Sequence, residues 1–136
     1  MSTKLKEKQE RLEQILADLA AEAAKGKPVV VEGKKDEAAL SELGVTGLTF
    51  TVKTGGKSFL DAASEIESRN PAAVILLLDF DWRGRQGMAK LRQNLERARI
   101  KTDTRFWRDL KAMVGHDIQS VESLPAYLET LRQKTE

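Results

Sequence analysis

Three carboxylates stand just past short apolar runs: Glu32 after Val29-Val30-Val31, and Asp79 and Asp81 at the close of Val74-Ile75-Leu76-Leu77-Leu78. Continuous Val/Ile/Leu runs of this length read as strands buried on both faces, and in open α/β sheets ligands sit beyond the carboxyl ends of such strands. Side chains two residues apart on an extended chain point the same way, so Asp79 and Asp81 can face one ion while Phe80 turns into the packing. Aligned carboxylates suit Mg²⁺, a hard ion that keeps several waters and takes one or two protein carboxylates plus substrate phosphates. Mn²⁺ can substitute on the same oxygen donors. A third carboxylate beside two others holds its proton more tightly unless a metal neutralises the cluster, which makes Glu32 a candidate acid/base. Gly33 follows Glu32 where the backbone must leave the strand and a phosphate could approach closely, and Gly84 takes a similar place after Asp81.

The elements that must position these groups alternate along the chain. Apolar positions Leu5, Leu12, Ile15, Leu16, Leu19 and Ala23 form a helical stripe over residues 4 to 25, ended by Gly26 and Pro28. This amphipathic helix, residues 1 to 26, is expected to cover one face of a core domain spanning 27 to 136, although a free stripe could instead pair with a second subunit. Within the core the expected order is a strand at 29–31, a helix at 35–43, a strand at 48–52 and a helix at 58–69. A strand at 73–78, a helix at about 87–99, a weak strand at 100–102 and helices at 104–114 and 123–133 complete it. Ser58 with Asp61 three residues on reads as a capping box. Gly55-Gly56-Lys57-Ser58 hints at a phosphate loop, but that motif needs a glycine where Thr51 stands, so it reads as a turn and cap. The alternation argues a three-layer Rossmann-like α/β fold with a mostly parallel four-stranded sheet flanked by helices. If strands one and three are neighbours, Glu32 meets Asp79 and Asp81 at the switch point.

A chain of 136 residues is the size of one domain, large enough for a real core. With no cysteine and only His116, it cannot build a Cys/His zinc site, a disulfide frame or a Cys-His nucleophile pair, so a metal must be oxygen-bound. No apolar stretch is long enough for a membrane span and no leader is evident, which places the protein in the cytoplasm. The net charge of +2 hides an uneven spread. Residues 82 to 111 hold ten Lys/Arg against three Asp/Glu, whereas residues 27 to 81 hold six against nine. A basic block of that kind fits a phosphate-rich polymer, whose condensed counterions Lys and Arg displace, and it fits equally a solvated helix face. Trp82, Arg83 and Arg85 beside the acidic pair, and Lys34 and Lys35 after Glu32, are the candidate nucleic-acid contacts. The competing reading makes Trp82 a lid over the core. Phe106 and Trp107, with Arg105, Arg108 and Lys111 on the same expected helix, could extend a nucleic-acid groove, but the aromatics read first as core; Tyr127 reads as packing, and His116 has no partner at ligand spacing.

Val-Val-Val-Glu-Gly-Lys-Lys-Asp, followed some forty residues on by Leu-Leu-Leu-Asp-Phe-Asp-Trp-Arg-Gly-Arg, resembles the Toprim domain over about residues 28 to 111. The two motifs have the forms E-G-x-x-D and D-x-D-x-x-G. Among Toprim proteins the chain is most similar to the small stand-alone members of archaea and bacteria, which are similar to the catalytic domain of the ribonuclease that matures 5S ribosomal RNA. The resemblance implies that Glu32 is the acid/base, that Asp79 and Asp81 hold Mg²⁺, and that Asp36 assists or fixes the loop. Phe80 and Arg85 depart from the commoner D-P-D-x-x-G-E form and leave one fewer acidic group near the metal. The function expected is Mg²⁺-dependent phosphodiester chemistry on nucleic acid, most plausibly RNA processing by a nuclease. The alternative is a non-catalytic RNA-binding accessory that relies on a protein partner, and joining or primer synthesis ranks last.

Overall fold

The computed structural model describes residues 3–53 and 58–136, so Gly55, Gly56 and Lys57 of the expected turn lie outside the described residues. Four strands, β1 (Val29–Val31), β2 (Thr49–Thr51), β3 (Ala73–Leu76) and β4 (Lys101–Asp103), form one sheet in the order β2-β1-β3-β4. Every neighbouring pair is parallel, with Val30 opposite both Phe50 and Leu76. The described residues form six α-helices: α1 (Thr3–Ala24), α2 (Lys34–Glu42), α3 (Phe59–Arg69), α4 (Trp82–Arg97), α5 (Arg105–Val114) and α6 (Leu124–Thr135). A 3-10 turn at Val121–Ser123 leads into α6. Contacts sort the helices into two groups, α3 with α4, and α1 with α5 and α6 while α2 meets α6 and the 3-10 turn. This is the three-layer α/β arrangement the alternation predicts.

The apolar runs become inner strands because both their faces are covered. Val29–Val31 and Val74–Leu78 are all at most 1% exposed. The third strand stops two residues short of the expected end at Leu78. β4 has already ended opposite Ile75, and the Leu78 carbonyl accepts instead from the Trp107 indole N–H at 3.0 Å. The α1 stripe is spent inside the monomer: Leu12, Ile15, Leu16, Leu19 and Ala23 are buried, with α5 and α6 packed on the helix, so it is not left free for a second subunit.

The main correction concerns α4, which begins at Trp82, five residues before the expected start at Gly87. Asp81 is its N-cap, the side chain accepting the Gly84 N–H at 2.8 Å. Gly84 reads as a loop glycine and Gly87 as the helix start in the sequence, yet both lie inside the helix, where neighbours approach too closely for a side chain. A Cβ on Gly84 would stand 1.9 Å from the Asp79 carbonyl oxygen, and one on Gly87 would stand 2.5 Å from the Phe59 ring. Gly84 therefore lets the first turn of α4 press against the backbone that carries Asp79.

Gly84→Ala, which meets backbone, is expected to lose about 3 kcal/mol of stability, whereas Gly87→Ala meets the movable end of a ring and loses about 1 kcal/mol. Urea denaturation of the two variants checks this; equal losses would show that the Asp79 carbonyl is not the obstacle.

Candidate metal and acid/base site

Glu32 follows β1 directly and is 6% exposed. Its Oε1 accepts the backbone N–H of Asp79 at 3.3 Å, which ties the end of β1 to the chain leaving β3. Strands one and three are neighbours, which sets Glu32 against the chain that carries Asp79. Oε2 lies 3.1 Å from the Lys53 ammonium, within ion-pair distance but without hydrogen-bond geometry. Lys53 stands two residues past β2, and its own backbone N–H donates to the Glu32 carbonyl at 3.0 Å, continuing the pairing of β2 with β1. Its side chain is 60% exposed, so the ammonium reaches the buried carboxylate from solvent. The Glu32 carboxylate in turn holds the Lys53 ammonium above its ordinary pKa.

The other acids differ in how they are held. Asp36 is buried, one oxygen accepting the Gly33 N–H at 3.1 Å and the other the Glu122 N–H at 2.9 Å. It therefore ties the start of α2 to the 3-10 turn, the loop-fixing role of the two the resemblance implies. Burial raises its pKa against those two N–H donors. Asp79 is half-buried, and burial, reinforced by the charges of Glu32, Asp36 and Asp81, pushes its carboxyl up to about 7, with only Lys53 opposing.

The expectation that Asp79 and Asp81 sit side by side on an extended strand is corrected. Phe80 does turn into the packing, 2% exposed, but Asp81 already caps α4 and has one oxygen committed to Gly84. Three groups behind the segment fix its course. The Trp107 indole donates to the carbonyls of Leu78 and Asp79, Lys111 donates to that of Phe80 at 2.7 Å, and the Phe80 N–H donates to Gln119 O at 2.7 Å.

Among the described residues, no group of three or more His, Asp or Glu side chains is arranged to close on a metal ion unaided. Glu32 lies against the Asp79 backbone, Asp36 is tied into the loop, and Asp81 adds its charge beside Asp79 with one oxygen committed to Gly84. Two hard-oxygen donors in a buried, like-charged setting are what Mg²⁺ takes when water and substrate phosphate complete its shell, so the residues present fit that ion.

Lys34 and Lys35 are exposed on the first turn of α2, and Arg83 and Arg85 on the first turn of α4; none forms an ion pair among the described residues. Trp82 is 70% exposed, which overturns the lid reading, whereas Phe106 and Trp107 are buried as expected. The space a Cβ would take at Gly33 is open, and its backbone is plainly extended. Sequence reasoning missed Lys53. Its signal was its place just past β2, equivalent to that of Glu32 past β1, but using it required knowing that β2 pairs with β1.

No family model matches the chain. It is 33% identical over 126 residues to a UPF0292 protein of Methanosarcina acetivorans, covering 93% of this chain and 85% of that one. A UPF0292 protein of Methanocaldococcus jannaschii is 34% identical over 119 residues, covering 88% of this chain and 91% of the relative. A solved structure of an Aquifex aeolicus protein superposes with a TM-score of 0.65 at 26% identity, covering 81% of this chain and 94% of that one.

Because the folded pKa of Asp79 lies above its ordinary value of 3.8, its contribution favours folding below that value and is lost as pH rises through about 7. Asp79→Asn is therefore expected to stabilise the metal-free protein by about 2 kcal/mol at pH 8 relative to wild type and by much less at pH 4, a gap opening between those values. Thermal melts across that range check it, and a difference independent of pH would remove the crowding of charge at Asp79.

Proposed function

The chain belongs to the UPF0292 family, and we propose that it performs Mg²⁺-dependent phosphodiester chemistry on nucleic acid, cleaving RNA during its processing in the cytoplasm. The observation that carries this is the buried Glu32 carboxylate set against Asp79, with one solvent-reaching lysine as its counter-charge. An interior carboxylate whose one counter-charge reaches in from solvent leaves room for a second cation. The E-G-x-x-D and D-x-D-x-x-G motifs support a Toprim-type division of labour at the same residues.

In that division Glu32 holds or passes a proton at its carboxylate, and Asp79 offers oxygen to the ion with Asp81 behind it. The ion, when bound, neutralises charge developing on the transferring phosphoryl group. The positions of Lys34, Lys35, Arg83 and Arg85 on the first turns of α2 and α4 suit the flanking phosphates, whose negative charge the N-terminal ends of helices also favour. Trp82, exposed next to Asp81, offers a face on which a base can stack. Lys53 holds one positive charge against Glu32 from solvent and would be displaced by a divalent ion bound there.

A second reading, a metal- and RNA-binding accessory of a larger complex, draws on two observations: Lys53 already compensates Glu32, and Asp81 is partly committed as a cap. The two readings separate on activity, since the accessory binds structured RNA and cuts none.

Glu32→Gln is expected to lower Mg²⁺-dependent RNA cleavage at least about 100-fold while the melting temperature stays close to wild type. Cleavage that survives this change removes Glu32 from the mechanism. Lys53→Ala is expected to destabilise the metal-free protein by about 1 kcal/mol, its exposure limiting the loss, and millimolar Mg²⁺ should restore most of it. A variant whose melting temperature ignores Mg²⁺ would argue against a divalent ion beside Glu32.

A further inference from the structure

Helices α4 and α5 leave a groove of about 460 Å³ between them, floored by Met88, Ala89 and Trp107 and edged by Arg85 and Arg108. A second hollow, of about 340 Å³, shares Arg85, Trp107 and Arg108 with the first and ends at Lys111 and His116. Together they make one channel along the flank of the molecule. Its inner end abuts the segment that carries the acids, because Trp107 and Lys111 donate to the carbonyls of residues 78 to 80. Arg85 crosses the Trp107 ring at 5.8 Å and lies one helical turn beyond Asp81.

The charge along this channel is one-sided. Arg85 and Arg108 are exposed and have no acidic partner among the described residues. The one acid on the lining, Glu96, is taken up by Arg92 at 2.8 Å at the outer end. The channel is thus most positive at the end held by Arg85, Arg108 and Lys111 and nearly neutral at the Arg92–Glu96 end. An apolar floor with a cationic edge suits an occupant that is itself apolar on one side and anionic on the other.

We infer that this channel seats a single-stranded stretch of the nucleic acid, its bases over Met88 and Trp107 and its phosphates against Arg85 and Arg108. The inference rests on the proposed phosphodiester chemistry and adds the path by which the strand reaches it. A duplex has its base faces stacked away and would leave the apolar floor unused, whereas an unpaired strand exposes both features the channel complements. An acidic amphipathic peptide shares that charge pattern, but it gives no reason for the positive end to abut the backbone of residues 78 to 80, which carries Asp79.

The test measures binding of a fluorescent single-stranded oligouridine to the full chain without divalent metal, by anisotropy over a range of salt. Arg108→Glu is expected to weaken binding about tenfold and to reduce the salt slope, while Lys90→Glu, an equal charge change on α4 outside the channel, has a small effect. Arg108→Lys should recover most of the affinity. Equal effects of Arg108→Glu and Lys90→Glu, preference for duplex over single strand, or tighter binding of polyglutamate than of oligouridine would overturn the inference. The two proposals fail separately. Loss of oligouridine binding in Arg108→Glu alongside cleavage indifferent to Glu32→Gln leaves the channel and removes the acid/base assignment, and the converse pair of results does the reverse.

Discussion

Two carboxylates on adjacent parallel strand ends must repel, and much of the local structure follows from how that repulsion is managed. A parallel sheet brings all its carboxyl ends to one edge, so pairing β1 with β3 sets Glu32 against the chain that carries Asp79. The fold answers differently for each acid. Glu32 receives an ammonium from beyond β2, Asp36 two backbone N–H groups, and Asp81 the first turn of α4. The Asp79 carboxylate receives no hydrogen bond among the described residues, and its affinity for protons rises to match. The penalty of the cluster thus falls most heavily on Asp79, at the mouth of the sheet, with buried Asp36 shifted in the same direction.

That concentration needs a backbone that cannot relax away from Glu32. Residues 78 to 80 run outside the strand ladder, where chain would ordinarily be free to shift, yet each carbonyl is engaged from α5 and the close approach of Gly84 blocks movement toward α4. Trp107 serves both needs, its ring buried as core and its indole N–H satisfying two carbonyls that have left the sheet. A tryptophan here is therefore part of the support of the site although it lies more than twenty residues beyond Asp81.

Much of this was legible in the sequence because hydrophobic runs and glycine or proline stops report burial and element type directly. The runs 29–31 and 74–78, the α1 stripe and the Ser58 cap each carry a local signal, and the adjacency of strands one and three follows from α/β topology. Tertiary contact decided the rest. Gly84 looks like a loop glycine until the Asp79 carbonyl is seen against it, which hid the true start of α4 and with it the capping role of Asp81. Lys53 was equally invisible, since a lysine past a strand becomes a counter-charge only through the register of a neighbouring strand.

The identity of that counter-charge bears on whether the edge can hold a divalent ion at all. An arginine in the same position would fork onto both oxygens of Glu32 and leave few directions for another cation. Lysine contributes a single charge on a flexible stem, here touching one oxygen while the other accepts a backbone N–H, and most of its side chain remains in water. Withdrawing it exposes a carboxylate pair whose repulsion a divalent ion would relieve more fully than one ammonium can, because two positive charges then face Glu32 and Asp79 together. The electrostatic penalty that burial imposes on Asp79 in the metal-free protein is, on the proposed function, the same quantity that would favour the ion.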